Sequence, residues 1–166
     1  MTIPSGTWTI DPTHSSIELT VKHFGFGTAR PTMRIERAAA TVGDDATTST
    51  LTGSAATATF DSGNDKRDQH VRSDDFLDAD NNPMIDFAST SISESGGVYS
   101  VAGNLTLGTT STPATFTVDS LDVAGDQATF VATTALDRRA LNVNKMPGFI
   151  IGNTVAIRVS GTATRS

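Results

Sequence analysis

The sequence predicts an all-β protein whose antiparallel strands close into a barrel or sandwich, and three observations carry that expectation. Apolar and polar residues alternate in short runs along nearly the whole chain. Turn signals rich in Gly, Asp and Ser separate these runs at hairpin spacing. Threonine is the commonest residue, with 27 copies among 166, and its β-branched, hydroxylated side chain suits the wet face of a pleated sheet. An open sheet of this many strands would expose two edges and an apolar face, so closure is expected.

A short strand is expected at 7–10. In "SIELTVKHF", Ile17, Leu19, Val21 and His23 share one face while Glu18, Thr20 and Lys22 take the other. Weaker alternation covers 31–42, 50–60 and 84–92, the last carrying Phe87. "VYSVAGNLTL" sets Tyr99, Val101, Gly103, Leu105 and Leu107 against Val98, Ser100, Ala102, Asn104 and Thr106. Runs at 114–123 and 127–137 follow, carrying Phe116 and Phe130. Within 114–123 the apolar parity slips between Val118 and Leu121, as a bulge or bend would make it. "TVAIRVSGTA" closes the series, with Val155, Ile157, Val159, Gly161 and Ala163 on one face. Turns are expected at "GDD" 43–45, "SGG" 95–97, "GTTSTP" 108–113 and "AGD" 124–126.

One stretch breaks the pattern. "NDKRDQHVRSDDFLDADNNP", 64–83, packs nine charged residues and one of three histidines together. It predicts a short helix capped by Asn64 or Asp65, with Asp68 four residues before Arg72 and Arg67, His70, Val71 and Asp74 along one face. About ten residues of helix are marginal alone in water. Phe76 and Leu77 therefore have to anchor it, as a cover over a barrel end.

Composition excludes several classes. A formal net charge of -6 and a pI near 4.8 give no broad positive field for nucleic acid. Cysteine is absent, which removes disulfides and thiolate chemistry. No apolar run reaches the ~18 residues of a membrane helix, so stable membrane insertion is not expected. The length suits one domain over 1–166. "MTIPSGTWTIDP" has neither a basic nor an apolar leader region, so a cytoplasmic location is expected, or a periplasmic or secreted one if an upstream signal has been removed.

Chemistry is thinly signalled. His14, His23 and His70 stand far apart with no metal-ligand spacing, and "DDFLDADNN" lacks the Gly and Glu of a calcium loop. Neither metal nor cofactor is expected. No nucleophile motif is present. Asp68 and His70 diverge on a helix, so Arg67, Asp68 and His70 read foremost as hydrogen-bonding residues that hold the helix to neighbouring strands. His14, after "DPT", reads as a local turn residue, and His23 as a core histidine or the polar end of a cavity. Phe24, Phe26, Phe60, Phe76, Phe87, Phe116, Phe130 and Phe149 are spread over nearly every segment, usually on apolar faces. They fit either a filled core or an elongated tunnel, because an inward face looks the same in both.

"WTIDPTHSSIELTVKHFGFG" (8–27), "RDQHVRSDDFLDADNNPMIDFAST" (67–90), "VAGNLTL" (101–107) and "LDRRALNV" (136–143) occur in that order. Together they resemble the YceI-like family of bacterial lipid-binding proteins. The resemblance implies a lipocalin-like, extended antiparallel β-barrel with one short helix inserted between strands. It also implies a long apolar pore for a polyisoprenoid or similar amphiphile, often a homodimer, and no established catalytic residues. On this reading Ile17, Leu19, Val21, Phe87, Val101, Leu105, Leu107, Phe116 and Phe130 line the pore. His14, Lys22 and His23 form its polar mouth, and Arg67, Asp68, His70 and Phe76 belong to the cover. Two alternatives stand beside it: an enzyme using His70 with Asp68 or Asp74, and a ligand-free barrel that serves as an interaction domain.

Overall fold

The computed structural model describes residues 3–23 and 27–166. Its strands are β1 (Gly6–Ile10), β2 (Ser16–His23), β3 (Gly27–Ala29), β4 (Thr32–Val42) and β5 (Thr50–Asp61), followed by helix α1 (Asp65–Arg72). Then come β6 (Met84–Ser95), β7 (Val98–Leu107), β8 (Thr110–Ala124), β9 (Gln127–Asp137) and β10 (Ile151–Arg165). All pairings are antiparallel, in the order β1-β10-β9-β8-β7-β6-β5-β4-β2-β3, and further pairings of β1 with β4 and of β10 with β2 close the sheet.

The ten strands make eight staves. β1 and β2 both lie between β10 and β4 and are two halves of one stave. They are parted at Pro12, where the Asp11 carboxylate accepts from the Thr13 N–H (2.9 Å) and starts a single 3-10 turn. β3 and β4 face β2 in one continuous register, Lys22 opposite Thr28 and Glu18 opposite Thr32. The Leu19 N–H bridges their gap by donating to the Pro31 carbonyl (2.8 Å). Eight staves enclose an interior that side chains either just fill or leave open for one small ligand.

Two ends follow from this topology. The helix end carries α1 with its following loop, the β7–β8 turn and the long β9–β10 loop. The termini end carries both chain ends, the β4–β5 link, and two-residue turns at Gly96-Gly97 and Gly125-Asp126, whose glycines sit at positive φ (+60°, +84° and +61°). The β7–β8 turn is shorter than expected. β8 begins at Thr110, so only Gly108 and Thr109 turn, and Thr110–Pro113 pair with β7. Pro113 is tolerated because β9 pairs with β8 only from Thr117 onward, so its missing N–H costs no bond on that side. The parity slip in β8 is a register shift between Val118 and Ser120.

Asn64 caps α1, its side chain accepting from the Arg67 N–H (3.0 Å). Asp68 and Arg72 do not form the expected ion pair. Asp68, buried at 3% exposure, accepts from the N–H (3.0 Å) and hydroxyl of Ser62 just past β5, while Arg72 donates to the Phe60 carbonyl. Both side chains face back to the strand, which satisfies the buried end of β5 better than a solvent-exposed helix pair would. Arg67 joins them by donating to Ser62 Oγ (2.8 Å) and to its carbonyl (3.1 Å). The returning loop is tied to β5 by Thr57, whose N–H and hydroxyl donate to the carbonyls of Pro83 (3.0 Å) and Asn82 (2.7 Å).

The buried apolar side chains form three clusters joined through part-buried Ile17, Ile85 and Leu136, where a filled domain usually shows one contiguous core. Phe76 and Leu77 meet Leu141, Val143 and Met33 at the helix end. Trp8, Ile10 and Ile35 gather with Ala128 and Ala163 toward the termini end. Phe87, Ile92, Val101 and Leu105 form the third, with Phe116 edge-on to Phe87 at 5.2 Å.

Candidate functional site

A cavity of about 640 Å³ lies between these clusters. Its wall reaches from Arg67, His70, Met146 and Ile150 at the helix end to Ile3, Asp44, Ala46 and Tyr99 at the termini end. The reason is side-chain size. Inward positions are repeatedly Ala or Gly, as at Ala38, Ala40, Gly53, Ala128, Ala132 and Ala163, and such residues cannot fill an eight-stave barrel. The wall between the ends is almost wholly hydrocarbon.

All nine expected pore residues, Ile17, Leu19, Val21, Phe87, Val101, Leu105, Leu107, Phe116 and Phe130, stand on this wall. The three mouth residues separate. His23 is on the wall, with Gly27 leaving room for its imidazole: a Cβ there would lie 2.5 Å from His23 Cε1. His14 is outside, held at the surface by Asp11 (2.7 Å). Lys22 is also off the wall and exposed, because it takes the opposite face of β2 from Val21 and His23. Among the cover residues Arg67, His70 and Phe76 line the cavity and Asp68 does not. Phe149, expected on an apolar face, is 74% exposed; Phe24 and Phe26 lie outside the described residues.

The sequence reads His70 as a tie from the helix to neighbouring strands, with Asp68 or Asp74 as partner only in the enzyme alternative. The structure corrects both, because the His70 Nε2 meets Asp75 Oδ2 at 2.9 Å in the segment after α1, and its ring stands edge-on to Phe76 at 5.0 Å. The chain turns at Ser73, which donates through N–H and hydroxyl to the His70 carbonyl and so brings Asp75 back beside the imidazole. Histidine and carboxylate are each about half exposed. Among the described residues no group of His, Asp or Glu is placed to hold a metal ion.

Arg138 is the residue that sequence reasoning missed. It lines the cavity at 6% exposure, and its guanidinium donates to five backbone carbonyls. Nε reaches Gly152 (3.1 Å), Nη1 reaches Val143 and Lys145 (2.8 Å each), and Nη2 reaches Met146 (2.7 Å) and Ile151 (3.1 Å). Burial lowers its pKa from the ordinary value. Its neighbour Arg139 does the opposite work at the surface, where its hydrogen bonds hold the Asp137 carboxyl down at about 2. The "LDRRALNV" motif was the available signal, but nothing in its spacing names carbonyl partners up to fourteen residues downstream.

A family model described as YceI-like domain matches residues 8–163. A UPF0312 protein of Serratia proteamaculans is 31% identical over 103 residues, which are 61% of this chain and 54% of that protein. One from Vibrio vulnificus is 33% identical over 96 residues, 54% of this chain and 51% of its own. The chain thus spans about half the length of these curated relatives. Among solved structures, BcnA of Burkholderia cenocepacia superposes with a TM-score of 0.81 at 25% identity, covering 93% of this chain and 99% of that one. A polyisoprenoid binding domain from Saccharophagus degradans shares the fold at a TM-score of 0.70 and 9% identity, covering 96% and 98%. The YCEI protein of Campylobacter jejuni does so at 0.71 and 15%, covering 87% and 90%.

Proposed function

The chain belongs to the YceI-like domain family, and from that membership we propose that its barrel binds and carries or stores a long apolar amphiphile: a polyisoprenoid, a quinone or a fatty-chain lipid. The observation that carries this reading is the hydrocarbon-walled cavity running between the two ends of the barrel. Each buried CH₂ is worth ~0.8 kcal/mol, so a five-carbon prenyl unit gains on the order of 3 kcal/mol before ordering costs. Several units bind without specific polar contacts. That suits a wall whose polar side chains are already engaged: Arg138 with five carbonyls, Arg67 with Ser62 and His70 with Asp75. The Saccharophagus domain of the same fold, described as polyisoprenoid binding, supports the ligand class.

The reading is non-enzymatic. The His70–Asp75 pair is open to solvent and holds the turn after α1, and the neighbour of named activity is a binding domain. Homodimerisation belongs to the same reading and is measured by sedimentation equilibrium. The test is native purification, solvent extraction and mass spectrometry, followed by uptake of an added prenyl chain. A stoichiometric co-purifying or captured chain is expected; repeated failure of both would overturn the proposal.

A further inference from the structure

Three large apolar side chains are well exposed among the described residues, and two of them, Phe149 (74%) and Met146 (43%), lie on the β9–β10 loop. This loop is not slack. Arg138 grips the Val143, Lys145, Met146, Ile151 and Gly152 carbonyls, and the N–H groups of Ile150 (2.9 Å) and Ile151 (3.1 Å) both close on the Pro147 carbonyl. That turn aims Ile150 into the cavity wall and leaves its neighbour Phe149 in solvent. Apolar surface therefore runs from the inside of the barrel out to a braced tip.

Charge is arranged around the tip. Lys145 lies on the loop itself, and Lys22 stands at its base, where a side chain on Gly152 would meet the Lys22 carbonyl at 3.2 Å. Neither lysine forms an ion pair among the described residues, whereas Arg139 is neutralised by Asp137 (2.6 Å). The acidic segment 74–80 springs from strand ends opposite those of the β9–β10 loop around the eight staves, and it reaches across the barrel end through Phe76 and Leu77, which pack with Leu141 and Val143. Asp44, Asp45, Glu94 and Asp126 lie at the far, termini end.

We propose that the β9–β10 loop docks this barrel, helix end first, on an anionic lipid bilayer, with Phe149 and Met146 entering the interface and Lys145 and Lys22 meeting headgroups. A braced aromatic with flanking cations is the chemistry of an interfacial anchor, and a chain leaving the bilayer there passes directly onto the Met146–Ile150 wall. The proposal rests on the carrier reading for its purpose, but its measurement is separate.

The experiment is flotation of the whole protein with phosphatidylcholine vesicles, with and without phosphatidylglycerol, at low and high salt. Uptake of parinaric acid in vesicle-free buffer is measured in parallel. Binding is expected only to the anionic vesicles and is weakened by salt. Phe149→Ser should lose about tenfold or more and Lys145→Glu about fivefold or more, both with parinaric acid uptake unchanged. No flotation of the unaltered protein, or flotation indifferent to both substitutions, would overturn it. Loss of uptake in Phe149→Ser, or a vesicle-independent dimer that Phe149→Ser dissolves, would overturn it too, making the tip a cavity wall or a copy-to-copy contact. Failure of parinaric acid uptake with docking intact would instead remove the fatty-chain arm of the carrier reading and leave the surface assignment standing.

Discussion

Arg138 keeps a charge inside the oily helix end of the barrel with no ion pair among the described residues, only the field of neighbouring Asp137, and the five carbonyls around it take the place of a paired carboxylate. A buried charge is tolerated when its donors are fully used, and here using them also folds the loop that presents Phe149. Replacing Arg138 by Met keeps much of the volume and removes all five donors. A bare buried acceptor costs about 1–3 kcal/mol, and several of these carbonyls can reach water, so a loss of about 3 kcal/mol is expected. Urea unfolding measures it, and a variant as stable as the original would refute the bracing role. His70 shows how far residue-level reading carries: the sequence identified a histidine on the cover, but its partner depended on a turn at Ser73 that helix spacing does not encode.

At the scale of elements, β6 and β7 show why an alternating pattern can still hide a required residue. β6 carries a bulge, Ser89 facing Gly103 and Ser91 facing Ala102, with Thr90 the extra residue. The bulge swings the Ala88 carbonyl against Gly103, and a methyl group there would also stand 2.6 Å from Phe87 Cζ. Gly103→Ala should therefore cost about 1–3 kcal/mol by forcing strand and ring apart, lowering the melting temperature by several degrees. An unchanged melting temperature would mean the bulge yields freely. The apolar alternation of β2, β7 and β10 was legible because one face of each is inside. The β7–β8 turn was misjudged because Thr110–Pro113 has turn-type composition yet lies along β7.

For the whole molecule the decisive quantity is the emptiness of the barrel. Ala132 sits mid-wall, opposite Val118 on one side and Val159 on the other. A phenylalanine there would project into the hollow. Filling free space adds contacts instead of strain, so Ala132→Phe should bind a prenyl chain about tenfold more weakly or worse, as a few buried CH₂ groups are displaced, with thermal stability retained. Chain titration beside a thermal melt reads both. Undiminished binding would place the ligand elsewhere.

The strand pattern, the inserted helix with its cap at Asn64 or Asp65, the Phe76–Leu77 anchor and the side chains on the inward faces were all legible in the chain's local patterning. These are local matters of period, capping and turn chemistry, and each is written within a dozen residues. It took the folded chain to reveal that the inward faces surround a hollow, that Asp75 partners His70, that Arg138 clamps a loop and that Phe149 turns outward. Those outcomes depend on which small side chains come opposite one another across eight staves, and on carbonyls whose direction no side-chain pattern records.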